Sequence, residues 1–501
     1  MSDPKTSVIC VGGGPAGLTA AYQLTKAGAD VVVLERDPEL VGGISRTERY
    51  KGFRFDIGGH RFFSKSREVE ALWEEILGNE FIERPRKSRI FYRGKLFDYP
   101  LKAMDALLKL GIFESFLCVA SYGKAKLMPV ARPANFQEWV TNQFGHRLFS
   151  IFFKTYTEKV WGMKCTEISA DWAAQRIKGL SLGSAIWNAL KPRSLKGSSP
   201  TIKTLIESFR YPKYGPGQMW DAAVGHIERR GGKVLRGREV NGLHYDSASR
   251  RWKVVARNVR TGTSETFEAA HVISSAAIVD LADALGEQLP KAAADAARRL
   301  RYRDFITVAL IVQDRGRFDD NWIYIHDPGV KVGRIQNFKS WSPHLVPDAT
   351  LNCYGLEYFC FEGDALWEAP DGELIAQARR ELVALGLAAD SEIVDGHVIR
   401  QIKAYPVYDD DYQANVELVR TGVEQKLPGL HLVGRNGMHK YNNQDHAMMT
   451  AMLTAENILA GRAVWDVWQV NQDAEYHEAG EDRSMALGER LVPTRTTQAA
   501  T

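Results

Sequence analysis

The segment from Gly12 to Gly17 has the residue types and spacing that could hold a dinucleotide. Its pattern, G-x-G-x-x-G, lets backbone N–H groups approach a pyrophosphate that larger side chains would block. Glu35 follows Gly17 by 18 residues, where a carboxylate could accept hydrogen bonds from ribose hydroxyls. The predicted contacts of the dinucleotide are therefore Gly12, Gly14, Pro15, Ala16, Gly17, Glu35 and its neighbour Arg36.

A strand, a turn and a helix must place these residues, and residues 6–36 supply all three. The apolar run Val8–Val11 precedes the glycines, an alanine-rich stretch follows from Leu18 to Ala27, and a second apolar run covers Val31–Leu34. Short β-branched runs indicate strands, and the longer stretch between them indicates a helix. The pattern predicts a βαβ unit with the pyrophosphate at the N-terminus of its helix.

A second group of glycines follows this unit. Gly42–Thr47 reads G-G-x-x-R-T, and Gly52–His60 reads G-F-x-x-D-x-G-x-H. This arrangement resembles the FAD-binding amine oxidase and protoporphyrinogen oxidase superfamily, in which both segments touch the flavin half of the cofactor. The resemblance implies FAD, with a strand valine meeting the adenine through its backbone. The flavin and adenine contacts that it implies are Gly42, Gly43, Arg46, Gly58, Gly59, His60 and Val240.

A narrower signature lies near the other end of the chain, from Gly434 to His446. It reads G-R-x-G-x-x-K-Y followed by N-Q-D-H and resembles the UDP-galactopyranose mutases, particularly their longer eukaryotic form. A glycine-flanked turn that enters a helix offers backbone N–H groups to a flavin or its phosphates. The cofactor contacts predicted here are Gly434, Arg435, Asn443 and Gln444.

The mutase resemblance covers most of residues 6–460 and implies a set of substrate contacts. In the mutases, two arginines and two tyrosines clamp the diphosphate of a nucleotide sugar; by motif position these are Arg176, Arg334, Tyr405 and Tyr441. Two guanidinium groups and two phenols could bind a dianionic diphosphate while leaving no carboxylate to repel it. Matching segments add the substrate-binding candidates Arg86, Ser88, Tyr99, Trp161, Trp322 and Tyr324.

The implied reaction is a redox-neutral pyranose–furanose isomerisation, with reduced FAD as the covalent nucleophile and NAD(P)H as one external reductant. The catalytic residues expected from the resemblance are His60, Arg176, Arg334, Tyr405 and Tyr441, with His60 tuning the flavin. Departures from the family leave the base and sugar open: Thr157 stands where asparagine is expected, and Leu101-Lys102 where an aromatic residue and glutamine are expected. A flavin oxidase or dehydrogenase, and a non-enzymatic FAD-binding protein, remain as alternatives.

The fold class expected is α/β: a Rossmann-like FAD-binding domain with an inserted helical plus β-sheet substrate lobe. Three segments would build the FAD domain, at residues 1–68, 226–290 and 404–462. A mainly helical lobe would cover residues 69–225, and a β-rich lobe residues 291–403. A C-terminal helix and frayed tail would cover residues 463–501. Residues 191–203 indicate a mobile basic loop, with a surface linker that has no role in the site as the alternative.

The composition of the chain limits the classes of partner and the compartment that we expect for the protein. Lysine plus arginine (65) nearly balances aspartate plus glutamate (61), so no nucleic acid partner is expected, and homo-oligomerisation is left open. Five scattered cysteines, and no signal-peptide pattern after Met1, favour a reduced cytoplasmic protein without disulfide or metal sites. The apolar stretch Leu107–Val119 is too short for a membrane span; its periodicity predicts an amphipathic core helix, with membrane docking as the alternative.

Overall fold

A computed structural model describes residues 6–99, 101, 103–168, 170 and 208–471 of the 501-residue chain. A five-stranded parallel sheet, ordered β19-β13-β1-β2-β9, is built from distant parts of the sequence. Its strands are β1 (Ser7–Val11), β2 (Asp30–Glu35), β9 (Lys233–Arg236), β13 (His271–Ser274) and β19 (Leu430–Leu432). The predicted βαβ unit is confirmed, with helix α1 (Pro15–Lys26) between β1 and β2.

Helices cover both faces of this sheet, as a fully buried parallel sheet requires. On one face α1 packs between helices α8 (Gly217–Arg229) and α15 (Gln444–Ala460), around Trp73, Trp220 and Met448. On the other face lie three helices, α9 (Ile278–Leu285), α10 (Lys291–Arg299) and α14 (Tyr412–Lys426). The same face carries a three-stranded antiparallel sheet of β10 (Arg238–Asp246), β11 (Arg251–Asn258) and β12 (Ser264–Ala269).

A seven-stranded sheet, ordered β18-β14-β17-β16-β15-β6-β7, forms the second lobe. Its strands are β6 (Ser88–Tyr92), β7 (Lys95–Asp98), β14 (Tyr302–Gln313), β15 (Trp322–Ile325), β16 (Arg334–Asn337), β17 (Leu351–Cys360) and β18 (Ile393–Pro406). Strands β14 and β17 are buried over nearly their whole length, because side chains cover both of their faces. Helix α13 (Asp371–Ala384) packs on one face of this sheet. Two short helices lie along the chain before it: α11 (Phe338–Trp341) between β16 and β17, and α12 (Ala365–Glu368) between β17 and α13.

The opposite face of this sheet carries a helical layer with an aromatic core, which contains Phe97, Phe136, Phe149 and Phe152. Its helices are α3 (Ala103–Leu110), α4 (Ile112–Leu127), α5 (Phe136–Phe144), α6 (His146–Phe149) and α7 (Thr155–Trp161), with a π-helical turn at Ser150–Lys154 before α7. Further described elements are helix α2 (Arg67–Leu77), the hairpin of β3 (Thr47–Tyr50) with β4 (Phe53–Asp56), and the antiparallel pair of β5 (Phe81–Pro85) with β8 (Ser208–Pro212).

The α/β fold class is confirmed, whereas the domain boundaries drawn from the sequence stay a prediction. Strands β6 and β7 come from within the segment expected to be mainly helical, yet they join the large sheet: β6 pairs with β15, and β7 pairs with β6 at the edge. Residues 191–203 and most of the predicted C-terminal tail lie outside the described residues. None of the described helices combines the length and apolar character needed to cross a bilayer. All five cysteines are described; they are buried and form no disulfide.

The predicted core helix at Leu107–Val119 is wrong in two respects. Gly111 separates α3 from α4, because its φ of +90° is not a helical conformation. Residues other than glycine rarely adopt this φ. Several apolar side chains of the stretch also point outward: Ile112 is 93% exposed and Phe113 75%. Periodicity identifies a helix, but it does not say which apolar side chains find a neighbour.

Candidate functional site

The glycine turn after β1 forms a tightly packed cradle at the N-terminus of α1. Gly12 has φ of +98° and donates its N–H to Leu34 O at 2.8 Å, so the turn closes against β2. A Cβ on Gly17 would lie 1.9 Å from the Gly12 carbonyl oxygen. Helix α1 begins at Pro15, and the next residue, Ala16, is buried. The N–H groups in the first turn of a helix have no partner within the helix, so they can donate to an anion.

Glu35 closes the cradle from the end of β2. Its Oε2 accepts the Gly13 N–H at 2.6 Å and its Oε1 accepts the Asp37 N–H at 2.8 Å, so the carboxylate is held in one orientation. Burial raises the pKa of Glu35, and these two N–H donors oppose the shift. Arg36 is exposed at the rim, and Val240 lies on β10 beside a break in its pairing with β11. The adenine role of Val240 stays a prediction.

The second glycine group packs directly onto the cradle. Gly42, with φ of +104°, donates its N–H to Gly13 O at 2.8 Å, and Gly43 Cα lies 3.8 Å from where a Cβ of Gly14 would be. Arg46 holds the turn by donating from Nη1 to Gly43 O at 3.1 Å and to Gln401 Oε1 at 2.6 Å. Arg46 also pairs with Glu48, so its guanidinium has mainly protein partners here.

Gln444, at the start of α15, joins three of the sequence motifs. Its Oε1 accepts from Ser45 Oγ at 3.0 Å, and its Nε2 donates to the Arg61 carbonyl at 3.0 Å. Asn443 is the N-cap residue of the helix. These bonds bring the N-terminus of α15 against both glycine-rich segments. The cofactor contacts predicted from the two ends of the sequence therefore meet in space.

His60 lies half-buried at the centre of this arrangement, between Gly59 and Arg61. Burial lowers the pKa of His60 to about 3, and the positive charges of Arg435 and Arg334 lower it further, against a hydrogen bond with Gly58. His60 is therefore neutral at physiological pH and cannot serve as a cationic anchor. A Cβ on Gly59 would be 3.0 Å from the Trp341 ring, so this turn fits tightly against α11.

Three of the four predicted clamp residues converge beside His60. Arg334 on β16 donates from Nη2 to the Tyr405 hydroxyl at 3.1 Å, and the Tyr405 and Tyr441 rings stack with centroids 5.6 Å apart. The Arg435 guanidinium lies 5.3 Å from the Tyr405 ring and 5.2 Å from the Tyr441 ring. The fourth, Arg176, lies outside the described residues.

Arg435 builds the turn that carries Tyr441. Its Nε donates to Asn442 O at 2.8 Å and its Nη1 donates to Ala404 O at 3.0 Å. Because these carbonyls flank Tyr441 and Tyr405 in sequence, the guanidinium fixes the spacing of both rings. The charged contact of Arg435 with a cofactor stays a prediction, whereas the structure shows its two hydrogen bonds to the backbone.

The expectation of a clamp without a carboxylate is wrong. Glu357, 1% exposed at its side chain, accepts from Arg334 Nε at 2.5 Å and from Gln336 Nε2 at 2.5 Å. Burial alone lowers the pKa of Arg334, but the Glu357 carboxylate outweighs it and holds the pKa well above the ordinary value. One sequence signal marks Glu357: it is the single charged residue in β17, a strand that is otherwise uncharged. A charge in a central strand needs a partner.

Tyr156 is a further site residue that is not among the candidates expected from the sequence. Burial raises the pKa of its phenol well above the ordinary value, and the charge of Arg334 opposes the shift, which places Tyr156 within reach of the clamp. The ring stacks on His326 at 4.9 Å and meets Tyr324 edge-on at 5.4 Å. Tyr156 follows the π-helical turn, a local distortion that often occurs at functional sites.

Aromatic side chains form one wall of the site. Trp322 and Trp341 stack with centroids 5.4 Å apart, Tyr99 contacts Tyr324 at 4.6 Å, and the Arg61 guanidinium lies 5.1 Å from the Trp322 ring. Of the other predicted contacts, Ser88 pairs with Trp322 across β6 and β15, Arg86 precedes it in sequence, and Trp161 is buried at the end of α7.

Lys159 and His326 fix helix α7 to the large sheet. Lys159 Nζ donates to the carbonyl oxygens of Ile325, Asp327 and Val332 at 3.2, 2.7 and 3.1 Å. His326 is 4% exposed; burial lowers its pKa to about 3, and the charge of Lys159 adds to the shift. The buried imidazole is therefore neutral, and its stacking on Tyr156 helps to place that phenol.

Acid should weaken the fold through His326. Below pH 6.5 the unfolded chain binds a proton at this residue, while the folded chain does so only near pH 3, so stability falls as pH falls across this window. One such group costs about 1.4 kcal/mol per pH unit. We expect His326→Asn to shrink the loss of unfolding free energy between pH 6.5 and 5 by about 2 kcal/mol, measured by urea titration. His344→Asn, at an exposed position, is the control; equal pH dependence in both variants would contradict the prediction.

The sequence profile of a family described as flavin containing amine oxidoreductases matches residues 15–459. The crystal structure of a reduced UDP-galactopyranose mutase is similar in fold, with a TM-score of 0.77 and 20% identity over 91% of this chain and 94% of that one. This likeness concerns the fold alone.

Two curated relatives have different activities. A probable UDP-galactopyranose mutase of Klebsiella pneumoniae is 25% identical over 175 residues, 33% of this chain and 43% of that protein. A phytoene desaturase of Fusarium fujikuroi is 25% identical over 267 residues, 50% of this chain and 46% of that protein. The chain thus aligns with less than half the length of either relative.

Proposed function

Because this chain belongs to the flavin-containing amine oxidoreductase family, we propose that it binds FAD and isomerises a nucleotide sugar between pyranose and furanose forms. The proposed activity is that of a UDP-galactopyranose mutase or a close variant. The observation that carries the proposal is the convergence of Arg334, Tyr405, Tyr441 and Tyr156, from four separate elements, beside the predicted flavin segment at His60.

The residues of the cradle fit FAD. Positive φ at Gly12 and Gly42, together with the missing Cβ atoms of Gly14 and Gly17, permits the close backbone approach that a pyrophosphate needs. The fixed carboxylate of Glu35 at the end of β2 suits ribose hydroxyls. Gln444 holds the N-terminus of α15 against the glycine-rich segments, and a helix N-terminus offers backbone donors to an anion.

The clamp is suited to a diphosphate leaving group. Arg334 provides a permanent positive charge, and Tyr405 and Tyr156 provide phenols that stay protonated, since burial raises the pKa of both. Neutral phenols can donate to phosphate oxygens without adding charge. Glu357 cancels part of the Arg334 charge but orients its guanidinium, so that the donors are ordered before substrate arrives.

When bound, reduced FAD would supply the nucleophile for the anomeric carbon of the sugar, and NAD(P)H is a proposed reductant. Arg334 and the phenols would hold the diphosphate in place beside the sugar. His60, kept neutral by burial, would face the flavin without adding a cation. Aromatic groups at Trp322 and Tyr324 would exclude water from the sugar.

The direct test uses the purified holoprotein under anaerobic conditions, reduced with dithionite and incubated with UDP-galactopyranose and a panel of other nucleotide sugars. The expected result is a furanose product, separated by chromatography, with no net reoxidation of the flavin and little product from the oxidised enzyme. If no nucleotide sugar alters the flavin spectrum, and Arg334→Ala preserves activity on another substrate, the mutase proposal fails.

Tyr405→Phe probes the clamp with little change in packing. Loss of a hydrogen bond to a charged group costs about 1.5–3 kcal/mol, so we expect kcat/KM for the nucleotide sugar to fall by roughly 10- to 150-fold. Tyr245→Phe, in β10 against Trp252, is the matched control and should retain activity. Equal activity of the two variants would remove Tyr405 from the substrate site.

A flavin-dependent oxidoreductase is the second candidate. The aromatic wall and the buried Glu357 beside Arg334 favour a less anionic substrate than a diphosphate, and the desaturase relative performs an oxidation. This function predicts net reoxidation of the reduced flavin by an acceptor, or oxygen uptake with an amine or polyene. It also predicts no isomer of a nucleotide sugar.

A further inference from the structure

Helix α4 (Ile112–Leu127) presents a row of large apolar side chains to the solvent. Ile112 is 93% exposed, Phe116 68%, Val119 45% and Leu127 85%. At 100° per residue, positions 112, 116, 119 and 127 fall on one side of the helix, within a sector of about 80°. The adjacent Phe113 is 75% exposed and widens this surface. We call these five residues the α4 apolar face.

The inner side of the same helix already serves the protein core. Cys118 and Ala125 are buried, and they lie roughly opposite the α4 apolar face at helical spacing. A surface helix normally carries polar residues on its outer side, whereas α4 is apolar on both sides. Leu108 on α3 and Met128 after α4 are also exposed, 74% and 75%. Contiguous apolar surface of this kind marks an interaction site.

Basic side chains border the α4 apolar face. Lys126 and Lys124 fall on either side of it around the helix axis, and both are exposed, as is Arg132 shortly after the helix. Residues 101–133 contain five basic and two acidic residues, so this short stretch accounts for three of the chain's four net positive charges. The surface therefore combines apolar anchors with a positive border.

Both acidic residues of this stretch have partners within the chain. Asp105 pairs with Lys109 at 2.5 Å, and Glu114 forms a bidentate pair with Arg147. The acidic residues of the stretch are thus not available to neutralise the basic border. In a symmetric dimer through this face, both sides of the interface would carry the same basic residues, because a two-fold interface pairs a patch with itself. An excess of positive charge on both sides is unfavourable.

We propose that the α4 apolar face docks the protein on the surface of an anionic lipid bilayer. Ile112, Phe113 and Phe116 would enter the boundary between head groups and acyl chains, as interfacial amphipathic helices do. Lys124 and Lys126 would reach the lipid phosphates along their flexible apolar stems. The helix would lie in the plane of the interface. This docking is independent of the reaction that the flavin site performs.

Co-sedimentation of the holoprotein with lipid vesicles tests the proposal. Vesicles of phosphatidylcholine with about a third phosphatidylglycerol should bind the protein, and pure phosphatidylcholine vesicles should bind it far more weakly. Ile112→Gln with Phe116→Gln should weaken binding at least roughly 100-fold, since two large apolar side chains no longer enter the lipid. Lys124→Gln with Lys126→Gln should weaken binding to the anionic vesicles about 30-fold and reduce its sensitivity to salt.

The matched control is Leu418→Gln with Leu459→Gln, which removes two apolar side chains that are 45% and 48% exposed elsewhere. This variant should bind vesicles as the unchanged protein does. Unchanged flavin content and melting temperature would show that each variant is folded. Failure of the holoprotein to bind anionic vesicles, or equal binding by the Ile112/Phe116 variant, overturns the proposal. If that variant instead converts a dimer to a monomer in sedimentation velocity without any vesicle binding, a second copy of the chain is the partner.

Discussion

Arg334→Ala is expected to abolish most of the proposed activity and to destabilise the protein as well. Removal of a preorganised donor from a developing anion costs about 100- to 1000-fold in rate, and we expect the upper end because Tyr405 also loses its partner. Glu357 would remain buried without its counter-charge, which costs about 3–5 kcal/mol. The measurements are single-turnover isomerisation under anaerobic conditions and urea unfolding.

A second substitution, at Glu357, separates the loss of activity in Arg334→Ala from its loss of stability. The double variant Arg334→Ala/Glu357→Gln has no buried charge left in this pair, so it should recover much of the stability but none of the activity. Arg317→Ala is the control, because Arg317 pairs with Glu392 near the surface and its loss should cost about 1 kcal/mol or less. If the double variant regains activity along with stability, Arg334 acts only on the fold.

Gly17→Ala is expected to prevent cofactor binding. The added Cβ would lie 1.9 Å from the Gly12 carbonyl oxygen, and neither backbone segment can move without opening the turn between β1 and α1. The protein should be recovered without bound flavin or in inclusion bodies. The ratio of visible flavin absorbance to protein absorbance measures the effect.

Gly28→Ala is the matched control for this change. Gly28 also has a positive φ, +86°, but a Cβ there meets no atom within 4 Å. It should lower stability by about 1 kcal/mol through backbone strain and leave the flavin content unchanged. A flavin-replete Gly17→Ala protein would mean that the cradle opens more readily than its packing indicates.

Much of the cofactor region followed from local sequence pattern. The strand, turn and helix at residues 6–36 were predictable because β-branched runs, glycines and an alanine-rich stretch each prefer one backbone conformation. The structure places them as β1, α1 and β2, with Glu35 at the end of β2 as expected. The two other cofactor segments carried recognisable glycine signatures, and Gln444 brings them together through Ser45 and Arg61.

The clamp could be predicted only in part. Arg334, Tyr405 and Tyr441 were named from motif positions and do converge, while Glu357 was missed. Glu357 lies 23 residues from Arg334 and faces it because of the antiparallel register of β16 and β17. Register depends on how whole strands pack, so no local pattern around either residue reveals the pair.

The outer face of α4 also shows which features the sequence predicts and which depend on tertiary packing. Periodicity correctly predicts apolar helical residues on both sides of Gly111 within residues 107–119, because periodicity is a property of neighbouring residues. Tertiary structure alone decided that Cys118 turns inward while Ile112 and Phe116 remain uncovered. Local preferences fixed the elements and the glycine cradle, whereas burial, strand register and the partners of charged groups arise only when distant segments pack together.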